Sequence, residues 1–123
     1  IIRLLTPTTD KNRLKRIVKS ASGFLYYVSI MGITGTKKPT IRKVKNSVNT
    51  IKKTTKLPIV VGFGINNPKQ IKQISEFADG TVVGSSLVKF IEDFIKKKYE
   101  EDKMFEKIKI FLKKLRDSCY VKL

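Results

Sequence analysis

The feature that most constrains this chain is an alternation, repeated four times, of a short continuous apolar run with a longer stretch whose apolar residues recur at helical spacing. Ile1 to Leu5 is the first run, followed by the turn and capping residues Thr6-Pro7-Thr8-Thr9-Asp10 and then Leu14, Ile17, Val18 and Ala21. Gly23 ends that helix, and Phe24 to Val28 forms an aromatic and β-branched strand. A glycine-containing loop runs to about Pro39, and Ile41, Val44, Val48 and Ile51 mark a second helix. Pro58 breaks the chain before the strand Ile59-Val60-Val61, which ends in Gly62-Phe63-Gly64. Asn66, Asn67 and Pro68 then supply a cap and a first helical residue ahead of Ile71, Ile74 and Phe77. The fourth strand is read as Thr81 to Val83. It runs into Gly84-Ser85-Ser86 and a short helix over Leu87 to Ile91. A charged stretch from Lys96 to Asp102 precedes a last amphipathic helix with Met104, Ile108, Phe111, Leu112, Leu115 and Cys119 on one side.

Continuous apolar strands alternating with helices predict a parallel sheet, and right-handed crossovers place every loop that follows a strand on one rim. The pattern fits an open flavodoxin-like sheet as well as part of a (β/α)8 barrel. A complete barrel takes about 250 residues, and this chain has 123. The expectation is therefore a half barrel with two unpaired strand edges and an apolar sheet face left uncovered. The first strand opens at Ile1 without an initiator Met or leader, which suits a chain cut from something longer.

Composition narrows the chemistry. No apolar run approaches the roughly 20 residues that span a bilayer, so neither a membrane partner nor a membrane location is expected. Histidine is absent and Cys119 stands alone, which excludes a disulfide framework and leaves no metal site to expect, so the expected setting is the reducing cytoplasm. The net charge of +17 suggests an anionic partner at first sight. Only five of the 27 basic residues are arginines, however, and the lysines are spread over the polar faces of all the helices. Solvated helix faces are the expected explanation, and no nucleic acid is expected.

The last two units favour a barrel. In such barrels a phosphate often sits among the loops after strands seven and eight, at the amino end of a short extra helix. Gly64 lets a backbone approach an anion, and Gly84-Ser85-Ser86 leads into a helix whose first N–H groups and positive dipole end would face the same point. The plainer alternatives are a strand-end turn at Gly62 and Gly64 and simple N-capping at Ser85 and Ser86. On the same rim, Gly32-Ile33-Thr34-Gly35 has the composition of a mobile loop that could close over a ligand, or of an ordinary turn.

At these residues the sequence resembles the tryptophan synthase alpha chain family. Leu4 to Thr9 is similar to the end of that family's fifth strand, and Phe24 to Ser29 with Gly32 to Gly35 resembles its sixth strand and mobile loop. Pro58 to Ile65 is similar to its seventh strand and Asp79 to Lys89 to its eighth. The resemblance implies the last four β/α units of a TIM barrel, with residues 1–123 forming one partial domain. It implies a part in tryptophan biosynthesis, where the whole chain cleaves indole-3-glycerol phosphate to indole and glyceraldehyde 3-phosphate. By the same resemblance Gly35, Gly64, Gly84 and Ser85 contact the substrate phosphate, Tyr26 and Phe63 line the indole side, and Gly32 and Thr34 belong to the mobile loop. The partner it implies is the beta chain, which carries pyridoxal phosphate; no cofactor is expected in this chain. The family's catalytic Glu and Asp lie on and after its second strand. No catalytic residue is therefore expected here, and the chain alone should be inactive. Two other readings remain: another sugar-phosphate barrel enzyme with the same cup, and a small basic binding module without catalysis.

Overall fold

The computed structural model describes residues 1–29, 40–62, 64–98 and 100–119. Its elements alternate as the sequence predicts: β1 (Arg3–Leu5), α1 (Lys11–Ser20), β2 (Leu25–Val28), α2 (Ile41–Lys52), β3 (Ile59–Gly62), α3 (Pro68–Ser75), β4 (Gly80–Val82), α4 (Ser85–Lys96) and α5 (Glu101–Asp117). The first three helices begin at side-chain caps. Asp10 accepts the Arg13 N–H at 2.8 Å, Thr40 accepts that of Lys43 at 3.4 Å, and Asn67 accepts that of Gln70 at 2.9 Å. Each cap satisfies an amide that the helix itself leaves unpaired. The Arg13 backbone bond is also the main reason that the Asp10 carboxyl is held below its ordinary pKa.

The four strands are all parallel and lie in the order β1-β2-β3-β4. This order separates the two architectures that the sequence left open. A doubly wound sheet reverses its strand order and puts helices on both faces. Here every right-handed crossover steps the same way, so the helices collect on one face.

The register shows which face that is. Leu5, Tyr27, Val61 and Thr81 lie side by side, as do Leu25 and Ile59. Leu5, Leu25, Tyr27, Ile59 and Val61 are buried in one cluster with Leu14 of α1, Val44, Val48 and Ile51 of α2, Ile71 and Ile74 of α3, and Leu115 of α5. The opposite face carries Leu4, Tyr26, Val60 and Gly80 in one row and Val28, Gly62 and Val82 in the next. Among the described residues no helix covers it: Leu4 is 63% exposed and Val82 37%. The expected uncovered apolar face is present, and it is the side that lines the interior of a closed barrel.

Three details differ from the sequence reading. β4 spans Gly80–Val82 and not Thr81 to Val83, because Gly80 takes its place in the ladder opposite Val60. The short helix expected over Leu87 to Ile91 is twelve residues long, Ser85–Lys96, anchored by buried Phe94 and by a Glu92–Lys96 ion pair at 2.7 Å. On α5, Met104, Ile108, Phe111 and Leu115 face inward, but Leu112 is 45% exposed and Cys119 is exposed as well. Those two lie on the flank of the stripe and not within it. The charged stretch after Lys96 does break the helix, at Lys98, whose φ is +49°.

Candidate phosphate site

Two loops on the rim where the strands end form the candidate site. The first leaves β3 at Gly62, whose carbonyl accepts both the Ser29 N–H at 3.1 Å and the Ser29 hydroxyl at 3.0 Å. Two residues on, Gly64 has φ +75°, a conformation that a side chain disfavours. The second loop leaves β4 and turns at Gly84 into α4, where the Gly84 carbonyl accepts the Leu87 and Val88 amides. The Ser86 hydroxyl donates to the Ile65 carbonyl at 3.3 Å and so ties the two loops together.

Between them lies an open groove of about 500 Å³, lined by Gly64, Ile65, Asn66, Ser85, Ser86, Lys89, Phe90, Asp93 and Phe111. The start of α4 has neither a side-chain cap bond nor an acidic residue in its first turn. Its positive dipole end is therefore left without a local carboxylate, and Lys89 adds a cation one turn on. One wall is aromatic. Phe90 stacks on Phe111 of α5 with ring centroids 5.2 Å apart and meets Phe94 at 5.3 Å, so α5 buttresses α4 behind the groove.

Of the residues singled out in the sequence, Gly64 and Ser85 line this groove, and Gly84 is the N-cap of the helix that walls it. Tyr26 lies on the uncovered face of the sheet. A Cβ placed on Gly62 would fall 2.0 Å from the Tyr26 hydroxyl, so the ring passes directly over that glycine. Gly32, Thr34, Gly35 and Phe63 lie outside the described residues.

The sequence reading did not single out Lys89 for this site, although the helical spacing from Ser85 places it on the groove side. Asp79 has a structural part in the fold. That carboxylate accepts the Ile59 N–H at 2.8 Å and pairs with Lys52 at 3.1 Å, fastening the start of β3 to α2. Among the described residues there is no cluster of three or more His, Cys, Asp or Glu that could hold a metal ion. No helix among them is long and apolar enough to cross a membrane.

The profile of the tryptophan synthase alpha chain family matches residues 1–119. The chain belongs to that family. A tryptophan synthase alpha chain from Carboxydothermus hydrogenoformans is 44% identical over 108 residues, covering 88% of this chain and 40% of the relative. One from Erythrobacter litoralis is 46% identical over 93 residues, covering 76% and 36%. Among solved structures, tryptophan synthase subunit alpha from Legionella pneumophila superposes with a TM-score of 0.79 at 32% identity, over 95% of this chain and 41% of that one. The Campylobacter jejuni subunit gives 0.70 at 40% identity, over 88% and 42%. The chain thus spans about two fifths of the length of these relatives and corresponds to their carboxyl-terminal portion. The four-stranded sheet is an α/β half barrel of the tryptophan synthase alpha type.

Proposed function

We propose that residues 1–123 supply the carboxyl-terminal half of a phosphate-binding barrel in tryptophan biosynthesis. The completed barrel cleaves indole-3-glycerol phosphate to indole and glyceraldehyde 3-phosphate in the cytoplasm. The observation that carries this reading is the meeting of Gly64 and the Gly84-Ser85 turn at one groove, under an uncapped helix start and with their loops joined by Ser86 and Ile65. In this role backbone N–H groups around Gly64, Gly84 and Ser85 hold the phosphate, with Gly35 contributing from the loop after β2. Tyr26 and Phe63 lie toward the indole, and Gly32 and Thr34 belong to the closing loop.

Cleaving the carbon–carbon bond requires one group to move a proton at the indole ring and another to assist at the glycerol hydroxyl. Within the groove the carboxylate is Asp93, far along α4 from its phosphate-facing start. The acid/base pair accordingly belongs to the complementing half. Indole passes to a beta-chain partner, and the pyridoxal phosphate of the overall synthesis resides in that partner.

The test separates binding from turnover. The chain alone should bind glycerol phosphate weakly and release no indole, since each absent acid/base group contributes about 10²–10⁴-fold. Adding the amino-terminal half of a family member should restore release. Gly84→Val should abolish binding with only a modest fall in melting temperature, because a Cβ at Gly84 meets nothing within 4 Å and valine is only a poorer N-cap than glycine. Indole release by the lone chain, lost on changing one of its own carboxylates, would show that the acid/base groups are in this half.

A further inference from the structure

Between α1 and α2, on the helix side of the sheet, lies a cleft of about 230 Å³ that shares no residue with the groove at the start of α4. Its floor is Leu5 and Tyr27, which stand opposite each other in the ladder, and its apolar walls are Leu14 of α1 and Ile51 of α2. Two neighbouring helices of this chain enclose it. The open interior face and the outer edges of β1 and β4, which the complementing half would join, lie elsewhere.

The hydroxyl groups of this cleft fall into two kinds. Those of the threonines are engaged: Thr9 Oγ1 accepts the Thr6 N–H at 3.0 Å and lies 3.3 Å from the Thr6 hydroxyl, and the Thr50 hydroxyl donates to the Asn46 carbonyl at 2.9 Å. Tyr27 is different. Its side chain belongs to the core, with the residue only 2% exposed, yet its hydroxyl has no hydrogen-bond partner among the described residues. Among those residues no fully enclosed side-chain oxygen lacks a partner. The Tyr27 hydroxyl therefore reaches open space, and the cleft is the space that this residue lines. Placing a phenol in a core without satisfying its oxygen is unfavourable, and a phenylalanine would supply the same ring at no such cost.

Size and charge narrow the occupant. The volume is below the roughly 300–1,000 Å³ of sites for drug-sized ligands, so the cleft suits a smaller molecule. Lys11 is the charged residue of the lining, and no carboxylate lines it. The surroundings have the same sign: residues 11–75 hold fifteen of the 27 Lys and Arg residues and none of the ten Asp and Glu. Asp10 is the acidic neighbour in sequence, and its Oδ1 is engaged by the Arg13 N–H. A cleft with low-dielectric walls and charge of one sign concentrates ions of the other.

We propose that this cleft binds a small hydroxy acid with an apolar body, whose hydroxyl meets that of Tyr27 and whose carboxylate meets Lys11.

The test is ligand-observed saturation-transfer NMR on the 123-residue chain, titrated separately with 4-hydroxybenzoate, with benzoate, which lacks the hydroxyl, and with phenol, which lacks the carboxylate. 4-Hydroxybenzoate should bind most tightly. Tyr27→Phe should weaken it by about three- to tenfold, the worth of one hydrogen bond, while leaving benzoate affinity and the melting temperature unchanged. Lys11→Gln should weaken both acids and spare phenol. Ser47 lines the cleft from α2 and is half-buried, so Ser47→Leu should fill it and abolish binding of all three probes with the circular dichroism retained. Equal losses of 4-hydroxybenzoate and benzoate in Tyr27→Phe would assign the effect to ring packing and overturn the proposal. So would binding that survives Ser47→Leu, which would lie elsewhere on the chain. Absence of saturation transfer to any probe would leave the cleft to water alone and overturn it too.

Discussion

The close approach of Tyr26 to Gly62 yields a quantitative prediction about how the sheet and the site depend on each other. A Cβ at Gly62 would lie 2.0 Å from the Tyr26 hydroxyl oxygen, 2.5 Å from Cζ and 3.1 Å from Cε1. Non-bonded heavy atoms rest at about 3.5–4.0 Å, so Gly62→Ala requires the ring to retreat by more than an ångström. Overpacking of this kind costs about 1–3 kcal/mol. Tyr26 sits on the uncovered face, half-buried, and can swing outward, which places the expected cost in the lower part of that range. For a chain of 123 residues the melting temperature should fall by roughly 3–6 °C. Tyr26→Leu removes the hydroxyl and Cζ that meet the new methyl, so Gly62→Ala should be nearly neutral in that background. A double-mutant cycle read by urea denaturation should give a coupling of about 1–2 kcal/mol. Additivity within about 0.5 kcal/mol would refute the reasoning, because the substitution would then act through something other than the tyrosine ring.

Further expectations concern the open sheet, the β3 anchor and the first helix. With Leu4 and Val82 on an uncovered face, the chain should self-associate in a concentration-dependent way in sedimentation, and Leu4→Lys with Val82→Lys should reduce that association; a parent that sediments as a monomer at every concentration would contradict this. Asp79→Ala removes the acceptor for the Ile59 N–H and should destabilise by about 1–2 kcal/mol in urea melts, with Asp79→Asn costing less because it retains an acceptor oxygen. The folded-state pKa of Asp10 is lowered, so its contribution is fully present above the ordinary value of 3.8 and is lost as pH falls through the folded value. Asp10→Ala should accordingly lower stability at neutral pH and flatten the acid limb of the stability curve, as followed by circular dichroism.

The framework of the fold was legible where local signals and burial agree. Leu14, Val44, Val48, Ile51, Ile71 and Ile74 stand at helical spacing and are the residues the helices bury, and Asp10 and Asn67 cap as their types suggest. The misreadings have physical causes. Gly80 has no side chain to signal a strand, yet its backbone completes the ladder with Val60. Leu112 is as apolar as Leu115, and only the direction from which the sheet is approached decides that Leu115 is the one buried. The length of α4 is underestimated when the repeat is stopped at Ile91, because Phe94 and Ile95 continue the same helical spacing to the end of the helix. At the candidate site, Gly64, Gly84 and Ser85 stand out in the sequence by following strands, and these three meet at the groove. The Asp79 bond to Ile59 and the Ser86 bond to Ile65 each span about twenty residues and emerge only from the fold.

Each strand of this sheet bonds only to strands adjacent to it in the sequence. A ladder with that property can be laid down in the order in which the chain leaves the ribosome, since no strand has to wait for a partner made much later. The same property makes its seams alike. A cut between any two units removes one parallel edge and exposes another, while the helix-side core of the remaining units stays under its own helices. Pieces of such a fold can therefore be separated and rejoined at unit boundaries without rewiring any connection, and what a separated piece loses first is the shared interior, where Leu4, Tyr26 and Val82 wait for a facing wall.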